Sequence, residues 1–173
     1  MCIYLRAENY YLLNLIFVTR SGNNRRAKKV VPTSSASNLF DDYEQVANLH
    51  AVLFTVKEDF VKAGITKAQL TRLKNVIGVD YFTLSGMLAI TERTIHMKKE
   101  EETFSHIISD RLMAIAELYS YGYKVFGDRE RFNTWMKLPN RYFHGRTPIE
   151  LMDTQGGARE VRHEIKRFEV GTF

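Results

Sequence analysis

Apolar residues recur at intervals of three and four along most of the chain after Phe40. This spacing predicts amphipathic α-helices, because it places the apolar side chains on one face of each helix. Alternation of apolar and polar positions, which would indicate strands, extends over only a few residues anywhere in this part of the sequence. The pattern therefore predicts a mainly α protein.

Caps and breakers set the boundaries of the predicted helices. Glycine suits a helix C-terminus because it adopts left-handed backbone angles without strain, and proline suits the first turn because its missing N–H has no partner there. We predict helices over Leu49–Phe60 with Gly64 as the stop, from the Thr66 cap to Gly78, over Thr83–Leu88, from Glu92 to about Lys99, from the Ser105 cap to Phe126, over Arg129–Met136, from Pro148 behind the Thr147 cap, and over Thr154–Phe168.

The first 43 residues differ in character from the rest. Tyr10–Val18 is a short apolar run, whereas a bilayer-spanning helix needs about 20 residues, and no small-x-small cleavage site follows it. This run suits a buried strand, the core of a signal peptide, or sequence upstream of the true translation start. Ser21–Ser37 is polar and unpatterned, which is typical of a linker or arm, although its basic residues could contact phosphate. We predict a poorly structured, partly flexible N-terminal extension over residues 1–43.

Charge is unevenly distributed along the 173 residues. Lys and Arg number 25 and Asp and Glu number 20, so the formal charge is +5, which permits a nucleic-acid-binding patch without requiring one. Residues 61–100 hold seven basic and three acidic side chains, whereas residues 101–173 hold eleven of each. Residues 61–100 therefore carry most of the positive charge that could favour DNA binding.

Patterns that usually mark catalytic or cofactor sites are missing from the sequence. It contains no GxGxxG, Walker loop, HExxH or GxSxG, and its five histidines lack metal-ligand spacing. The single cysteine, Cys2, excludes a disulfide framework and, with no convincing export signal, indicates the cytoplasm. His144-Gly145-Arg146 could bind phosphate, although so short a cluster is weak support. We predict a binding protein with no enzymatic activity, cofactor or metal.

Residues 83–95, TLSGMLAITERTI, have the spacing of apolar and capping residues that is typical of a helix-turn-helix motif. Leu84 and Leu88 would face inward, Thr91 would cap the second helix, and Ile95 would lie on its buried face. The second helix of such a motif enters the major groove and presents its N-terminal side chains to base edges. The candidate DNA contacts are Thr91, Arg93, Thr94 and His96, with Lys98 and Lys99 for phosphate.

Two features of the same window oppose DNA binding, and an ordinary pair of core helices gives the same pattern. Ala89 stands where such turns usually place glycine, and a left-handed residue other than glycine costs about 1 kcal/mol or more. Residues 100–102 are three glutamates that directly follow the basic run and would repel phosphate if they face it. Both interpretations of the helix pair stay open at this point.

The most specific pattern lies toward the C-terminal end. Residues 125–128 read VFGD, residues 145–154 read GRTPIELMDT, and residues 165–173 read IKRFEVGTF. This order of residues resembles the toxin-binding domain of the Xre/MbcA/ParS antitoxins, bacterial proteins in which a Cro-like helix-turn-helix precedes that domain. The resemblance covers about residues 49–173.

The resemblance implies an architecture for the whole chain. It implies an Xre-like helix-turn-helix domain over residues 44–104, followed by a small all-α toxin-binding domain over residues 105–173. Members of this family neutralise a co-encoded toxin, most often a RES-domain or ParT-like protein that acts on NAD, and several repress their own operon. In the family, the last segment of the toxin-binding domain occludes the NAD-binding cleft of the toxin.

The toxin contacts of the family can be assigned to the matching positions of this sequence, and the resemblance then implies a set of toxin-binding residues. Arg167 would occupy a phosphate subsite of the toxin, and Phe168 or Phe173 a ring subsite, while Arg146 belongs to the GRTP turn of the family. The implied toxin-binding residues are Arg146, Lys166, Arg167, Phe168, Glu169, Val170, Gly171 and Phe173.

The implied partners are a RES-domain or ParT-like toxin, operator DNA, and a second copy of the chain in a homodimer or higher complex with the toxin. No membrane partner is expected. The alternative is a stand-alone dimeric helix-turn-helix transcriptional regulator, whose helical tail serves only in dimerisation and which has no toxin partner.

Overall fold

The computed structural model describes residues 39–171. These residues are mainly helical and contain no β-strand, only a single antiparallel bridge between Thr66 and Thr103. The predicted mainly α class is confirmed. Of the extension predicted over residues 1–43, residues 1–38 lie outside the described residues, as does the predicted contact Phe173. Leu39 and Phe40, near the end of that extension, are buried in the core instead of being poorly structured.

Helices follow one another closely along the described part of the chain. Two 3₁₀ turns, Leu49–Ala51 and Arg141–Phe143, lie between them. The α-helices are α1 (Tyr43–Ala47), α2 (Phe54–Ala63), α3 (Lys67–Ile77), α4 (Tyr81–Leu88), α5 (Glu92–His96), α6 (His106–Phe126), α7 (Arg129–Lys137), α8 (Pro148–Leu151) and α9 (Gln155–Glu169). Among the described residues, no helix is long and apolar enough to cross a membrane.

The longest helix, α6, lies at the centre of the fold. Helices α1, α2, α3 and α4 pack against it from one part of the sequence, and α7 and α9 from the other. Buried residues therefore occupy several of its faces, among them Leu112, Ile115, Ala116 and Tyr119. The core crosses the predicted boundary between residues 104 and 105, and the division into two domains stays a prediction.

The chain around residue 50 departs from the predicted continuous helix. The segment forms a 3₁₀ turn and then extends at Val52 and Leu53, so that α2 begins only at Phe54. Ser120 of α6 explains the break, because its hydroxyl accepts a hydrogen bond from the His50 N–H and donates one to the Ala47 carbonyl. These backbone groups are satisfied by a tertiary contact instead of by a helix.

Most predicted caps are confirmed by the geometry. Thr66 and Thr147 each form a capping box, with Gln69 and Glu150 respectively. Side chains of Thr91, Asp128 and Thr154 also accept a hydrogen bond from the first turn of the helix that follows. Ser105 occupies the N-cap of α6 but its hydroxyl caps nothing.

Aromatic rings fill the space between α6 and α7. Phe132 is fully buried and meets Tyr123 and Phe126 edge-to-face, at centroid distances of 5.5 and 5.2 Å. Gly122 permits these contacts, because a Cβ at that position would overlap the Phe132 ring. Trp135 is half-buried and stacks on Phe132, with 5.7 Å between the ring centroids.

Tyr119 provides a test of this core. Its side chain is fully buried and its hydroxyl has no hydrogen-bond partner among the described residues. Burial raises the pKa of this hydroxyl far above its usual value. Because Tyr119→Phe removes an unpaired buried polar group, we expect it to raise the free energy of unfolding by about 1 kcal/mol, measured by urea and thermal denaturation.

The matched control is Tyr123→Phe, in the same aromatic cluster. The Tyr123 hydroxyl donates to the Asn133 side chain at 3.2 Å, so its removal is expected to lower stability. A Tyr119→Phe variant less stable than the wild type would contradict the prediction.

Candidate functional surfaces

Helices α4 and α5 form the pair that the helix-turn-helix pattern predicted. Residues 89–91 join them, and Leu84, Leu88 and Ile95 are buried as expected. Asp80 caps α4 by accepting a hydrogen bond from the Thr83 N–H at 2.8 Å. Hydrogen bonds from Thr83 hold the pKa of the Asp80 carboxyl below its usual value. We call residues 81–96, over which that motif is predicted, the helix-turn-helix segment.

The turn between these helices holds Ala89 in the left-handed region, with φ 53° and ψ 43°. Glycine favours this region, whereas a side chain with a Cβ costs about 1–2 kcal/mol there. Two backbone hydrogen bonds nevertheless close the turn, from Ala89 N to Gly86 O and from Ile90 N to Ser85 O, both at 3.0 Å. The absence of glycine strains the turn without preventing it.

The predicted base contacts lie at the surface on α5. Thr91, Arg93, Thr94 and His96 are all exposed. However, the hydroxyls of Thr91 and Thr94 are 2.9 Å apart and hydrogen-bonded to each other, and the His96 ring packs on Tyr81 at 4.9 Å. Arg93 is exposed on α5, and its side chain has no hydrogen bond, ion pair or ring contact among the described residues.

The predicted phosphate contacts, Lys98 and Lys99, lie beyond the end of α5, which is shorter than predicted. Lys98 donates to the Thr103 carbonyl at 2.8 Å and its ammonium lies 5.3 Å from the Phe104 ring centroid. Beyond the helix end, the Lys98 carbonyl accepts a hydrogen bond from Lys67 Nζ at 2.9 Å. Lys99 is exposed, whereas Lys98 is half-buried.

Contacts within the chain occupy most basic side chains of the charged window. Five of the seven in residues 61–100 have an ion pair, a carbonyl acceptor or an aromatic ring as partner, whereas the side chains of Arg93 and Lys99 have no such partner among the described residues. The five are Lys62 with Glu58, Lys67 with Glu100 and the Lys98 carbonyl, Arg72 with Asp41, Lys74 with the Tyr81 ring, and Lys98 with Thr103. Their charges remain, but phosphate contact would compete with these partners.

The described part of the predicted toxin-binding segment, residues 166–171, is the last turn of α9 and the two residues that follow. Arg167 pairs with Glu164 at 3.2 Å and lies over the Tyr142 ring at 4.8 Å. Phe168 is half-buried and packs on Phe126 and Trp135, at 5.3 and 5.7 Å between ring centroids. These two side chains are held against the fold, which stiffens the end of α9.

Glu169 is the third residue of this segment that contacts the fold. Its carboxylate accepts a hydrogen bond from the Tyr121 hydroxyl at 2.6 Å, and burial together with that carboxylate raises the pKa of Tyr121 to about 12. Lys166 and Val170 are exposed, Val170 by 63%, and Gly171 has a positive φ of 67°. Among the described residues of the predicted segment, Lys166, Glu169, Val170 and Gly171 are thus exposed, and Glu169 has Tyr121 as its partner.

Arg146 is the predicted toxin contact in the loop before α8. It is exposed, and its guanidinium approaches the Glu150 carbonyl at 3.4 Å. The following Thr147 forms the capping box of α8 with Glu150, and hydrogen bonds from Thr147 lower the pKa of the Glu150 carboxyl. The GRTP turn therefore has an architectural role, and Arg146 is its exposed basic side chain.

Sequence reasoning missed Arg111, which links the two predicted domains. Its Nε donates to the Met87 carbonyl at the end of α4, at 2.8 Å. Its Nη2 donates to the Asp153 carbonyl, between α8 and α9. An arginine within a helical pattern gives no sign of such a role, since both acceptors are backbone atoms distant in sequence.

Residues 122–171 match the family model of the antitoxin Xre/MbcA/ParS C-terminal toxin-binding domain. The resemblance to this antitoxin family is confirmed. An "Antitoxin Xre" of Pseudomonas putida is 30% identical over 63 residues, which are 36% of this chain and 40% of that protein. An "Antitoxin Xre" of Yersinia enterocolitica is 25% identical over 121 residues, 69% of this chain and 82% of that protein. The chain thus spans less than half of the first relative and most of the second.

The Xre/MbcA/ParS match can be placed on the structure. It begins at Gly122, whose missing side chain admits Phe132, and it ends at Gly171, just after α9. It covers α7, α8 and α9 with the last turn of α6, and it leaves the helix-turn-helix segment outside. The similarity to the family model therefore bears on the toxin-binding domain and not on DNA binding.

The strained turn gives a prediction about stability. Ala89→Gly is expected to raise the free energy of unfolding by up to about 1 kcal/mol, because relief of the left-handed strain exceeds the added entropy of the unfolded chain. As a control, Ala114→Gly at an exposed position of α6 should lower it by about 1 kcal/mol. Denaturation in urea measures both, and a loss of stability in Ala89→Gly would refute the prediction.

Proposed function

We propose that the chain is the antitoxin of a type II toxin–antitoxin pair, which binds an NAD-targeting toxin of the RES or ParT-like kind. The observation that carries the proposal is the match of residues 122–171 to the Xre/MbcA/ParS toxin-binding domain. The two relatives that are named antitoxins support the same role. The antitoxin acts by occupying the active site of the toxin, and it is not itself an enzyme.

Three features of the described residues support occlusion by the end of α9. Phe168 and Glu169 are anchored to the fold, so the residues beyond them leave from a fixed point. Val170 exposes an apolar side chain there. Lys166 and Arg146 add exposed positive charge suited to the phosphate groups of a dinucleotide site. In this arrangement Phe168 positions the segment, while Val170, Gly171 and Phe173 enter the cleft.

We also propose that the helix-turn-helix segment binds operator DNA and represses the operon. Its two-helix geometry and the exposed Arg93 and Lys99 support this part of the proposal. Binding by one copy is weak because few basic side chains face outward without a partner of their own. A homodimer or toxin complex strengthens it by presenting two motifs to two half-sites.

The second candidate function is that of a stand-alone dimeric regulator. The helix pair α4 and α5 favours it, because these helices lie outside the matched residues 122–171. A pull-down with the product of the adjacent reading frame separates the two functions. Retention of that protein supports the antitoxin. Its absence from the complex, with operator binding intact, supports the regulator.

Truncation tests the occlusion. We expect removal of Val170–Phe173 to abolish rescue of growth on co-expression with the toxin, because the cleft is then left open. The cut follows Glu169, so the hydrogen bond to Tyr121 is kept. Full rescue by the truncated chain would refute occlusion by this segment, and a pull-down from the same cells reports toxin binding separately.

Fluorescence anisotropy with promoter DNA tests repression. The wild type alone should bind weakly, with an affinity that falls steeply with salt because phosphate contacts release counterions. Addition of toxin should strengthen the binding, and Arg93→Ala should weaken it, while Arg131→Ala, an exposed arginine in α7, should not. Equal binding to promoter and random DNA at low salt would remove the repressor role.

A further inference from the structure

A groove lies beside the helix-turn-helix segment, between α4, the first turn of α5, and α8. It encloses about 510 Å³. One wall comes from residues 82–92, and the other from Ile149, Glu150 and Asp153, which belong to the matched residues 122–171. We call it the α4–α8 groove. It is built jointly by the predicted DNA-binding element and the toxin-binding domain.

The floor of the α4–α8 groove is apolar. Met87 is buried at its base, and Ile90 and Ile149 line it while keeping part of their surface open. Phe82 stands at its edge with 73% of its surface exposed. An exposed ring beside a concave apolar surface is typical of a contact with another protein.

The rim of the α4–α8 groove is acidic. Glu92, Glu150 and Asp153 line it, and none of the described residues that line it is basic. The protein as a whole carries a formal charge of +5, so this local cluster of carboxylates is opposite in sign to the overall charge. Carboxylates here repel a phosphate backbone and attract Lys or Arg side chains.

Gly86 is a second, independent sign of a ligand in the α4–α8 groove. It lies inside α4, where glycine weakens a helix relative to alanine, and it adopts ordinary helical angles. A Cβ at Gly86 would meet no atom of the described residues within 4 Å, so no contact among these residues requires the glycine. The bare helix backbone at this point lets the main chain of a partner approach closely.

We propose that the α4–α8 groove receives a segment of the toxin in which Lys or Arg side chains flank an apolar anchor. The proposal rests on the antitoxin function proposed above. The main chain of that segment lies against Gly86, its anchor contacts Met87 and Ile149, and its cations pair with Glu92 and Asp153. The groove thus adds a second contact to the one made by the end of α9.

The decisive variant is Gly86→Ala, measured with the product of the adjacent reading frame as the probe. A methyl group at Gly86 should stabilise free α4 and raise Tm by a few degrees, but weaken toxin binding by about tenfold because it overpacks the contact. Gly156→Ala is the matched control, because that helical glycine in α9 also faces open space and lies outside the groove. It should leave toxin affinity unchanged.

Charge reversal tests the acidic rim. Asp153→Lys should weaken toxin binding by about tenfold, and added salt should weaken the wild type more than it weakens this variant. Glu44→Lys, an exposed residue of α1, changes the net charge equally and should have no effect. Calorimetric titration at two salt concentrations measures both.

The outcomes distinguish the groove from the antitoxin function. Weaker toxin binding by a more stable Gly86→Ala variant supports the assignment. Wild-type toxin affinity in Gly86→Ala and in Asp153→Lys overturns it and leaves the antitoxin function intact. Loss of promoter binding with unchanged toxin affinity in Gly86→Ala also overturns it, in favour of DNA. Failure of the wild type to bind the toxin overturns both proposals.

Discussion

Burial of α6 is the constraint on which the rest of the described structure depends. Helices from both predicted domains pack on this one helix. Their apolar side chains are buried against it, and this burial stabilises the fold. Gly122 shows how tightly this packing is specified, since a single Cβ there would displace the Phe132 ring. Ser120 also sets the local backbone of a distant segment by bonding to His50 and Ala47. The two predicted domains therefore share a core, and a change at α6 affects both candidate surfaces.

The shared core gives the functional proposals their physical form. Arg111 extends from α6 to carbonyls at the end of α4 and before α9, so the helix-turn-helix segment is linked by hydrogen bonds as well as by packing to the residues that match the antitoxin family model. The α4–α8 groove has walls from both regions. Charge follows a different pattern from the one expected of a simple DNA-binding face, because most lysines and arginines of the basic window have partners within the fold.

Sequence reasoning predicted the elements better than their surroundings. Local patterns are sufficient for a cap such as Thr66 or Thr147, because donor and acceptor lie within one helical turn. They were insufficient around residue 50, where the Ser120 hydroxyl bonds to the backbone of His50 and Ala47, and at the end of α5, which lies at His96 instead of near Lys99. Of the candidate site residues, the exposure of Arg93 and Arg146 follows from their positions on the surface of their elements. The anchoring of Arg167 and Phe168 depends on rings from α6, α7 and the loop before α8.

The sequence by itself determined the helical class, most helix boundaries and the resemblance to the antitoxins, because each depends on spacing or residue order along the chain. Only the tertiary structure decided which charges already have partners, which residues of the last segment are anchored, and where an acidic groove opens beside α4. The physical reason is that these properties depend on distances between side chains remote in sequence. The +5 charge illustrates the difference: its total can be counted from the sequence, but its availability to a partner is set by the fold.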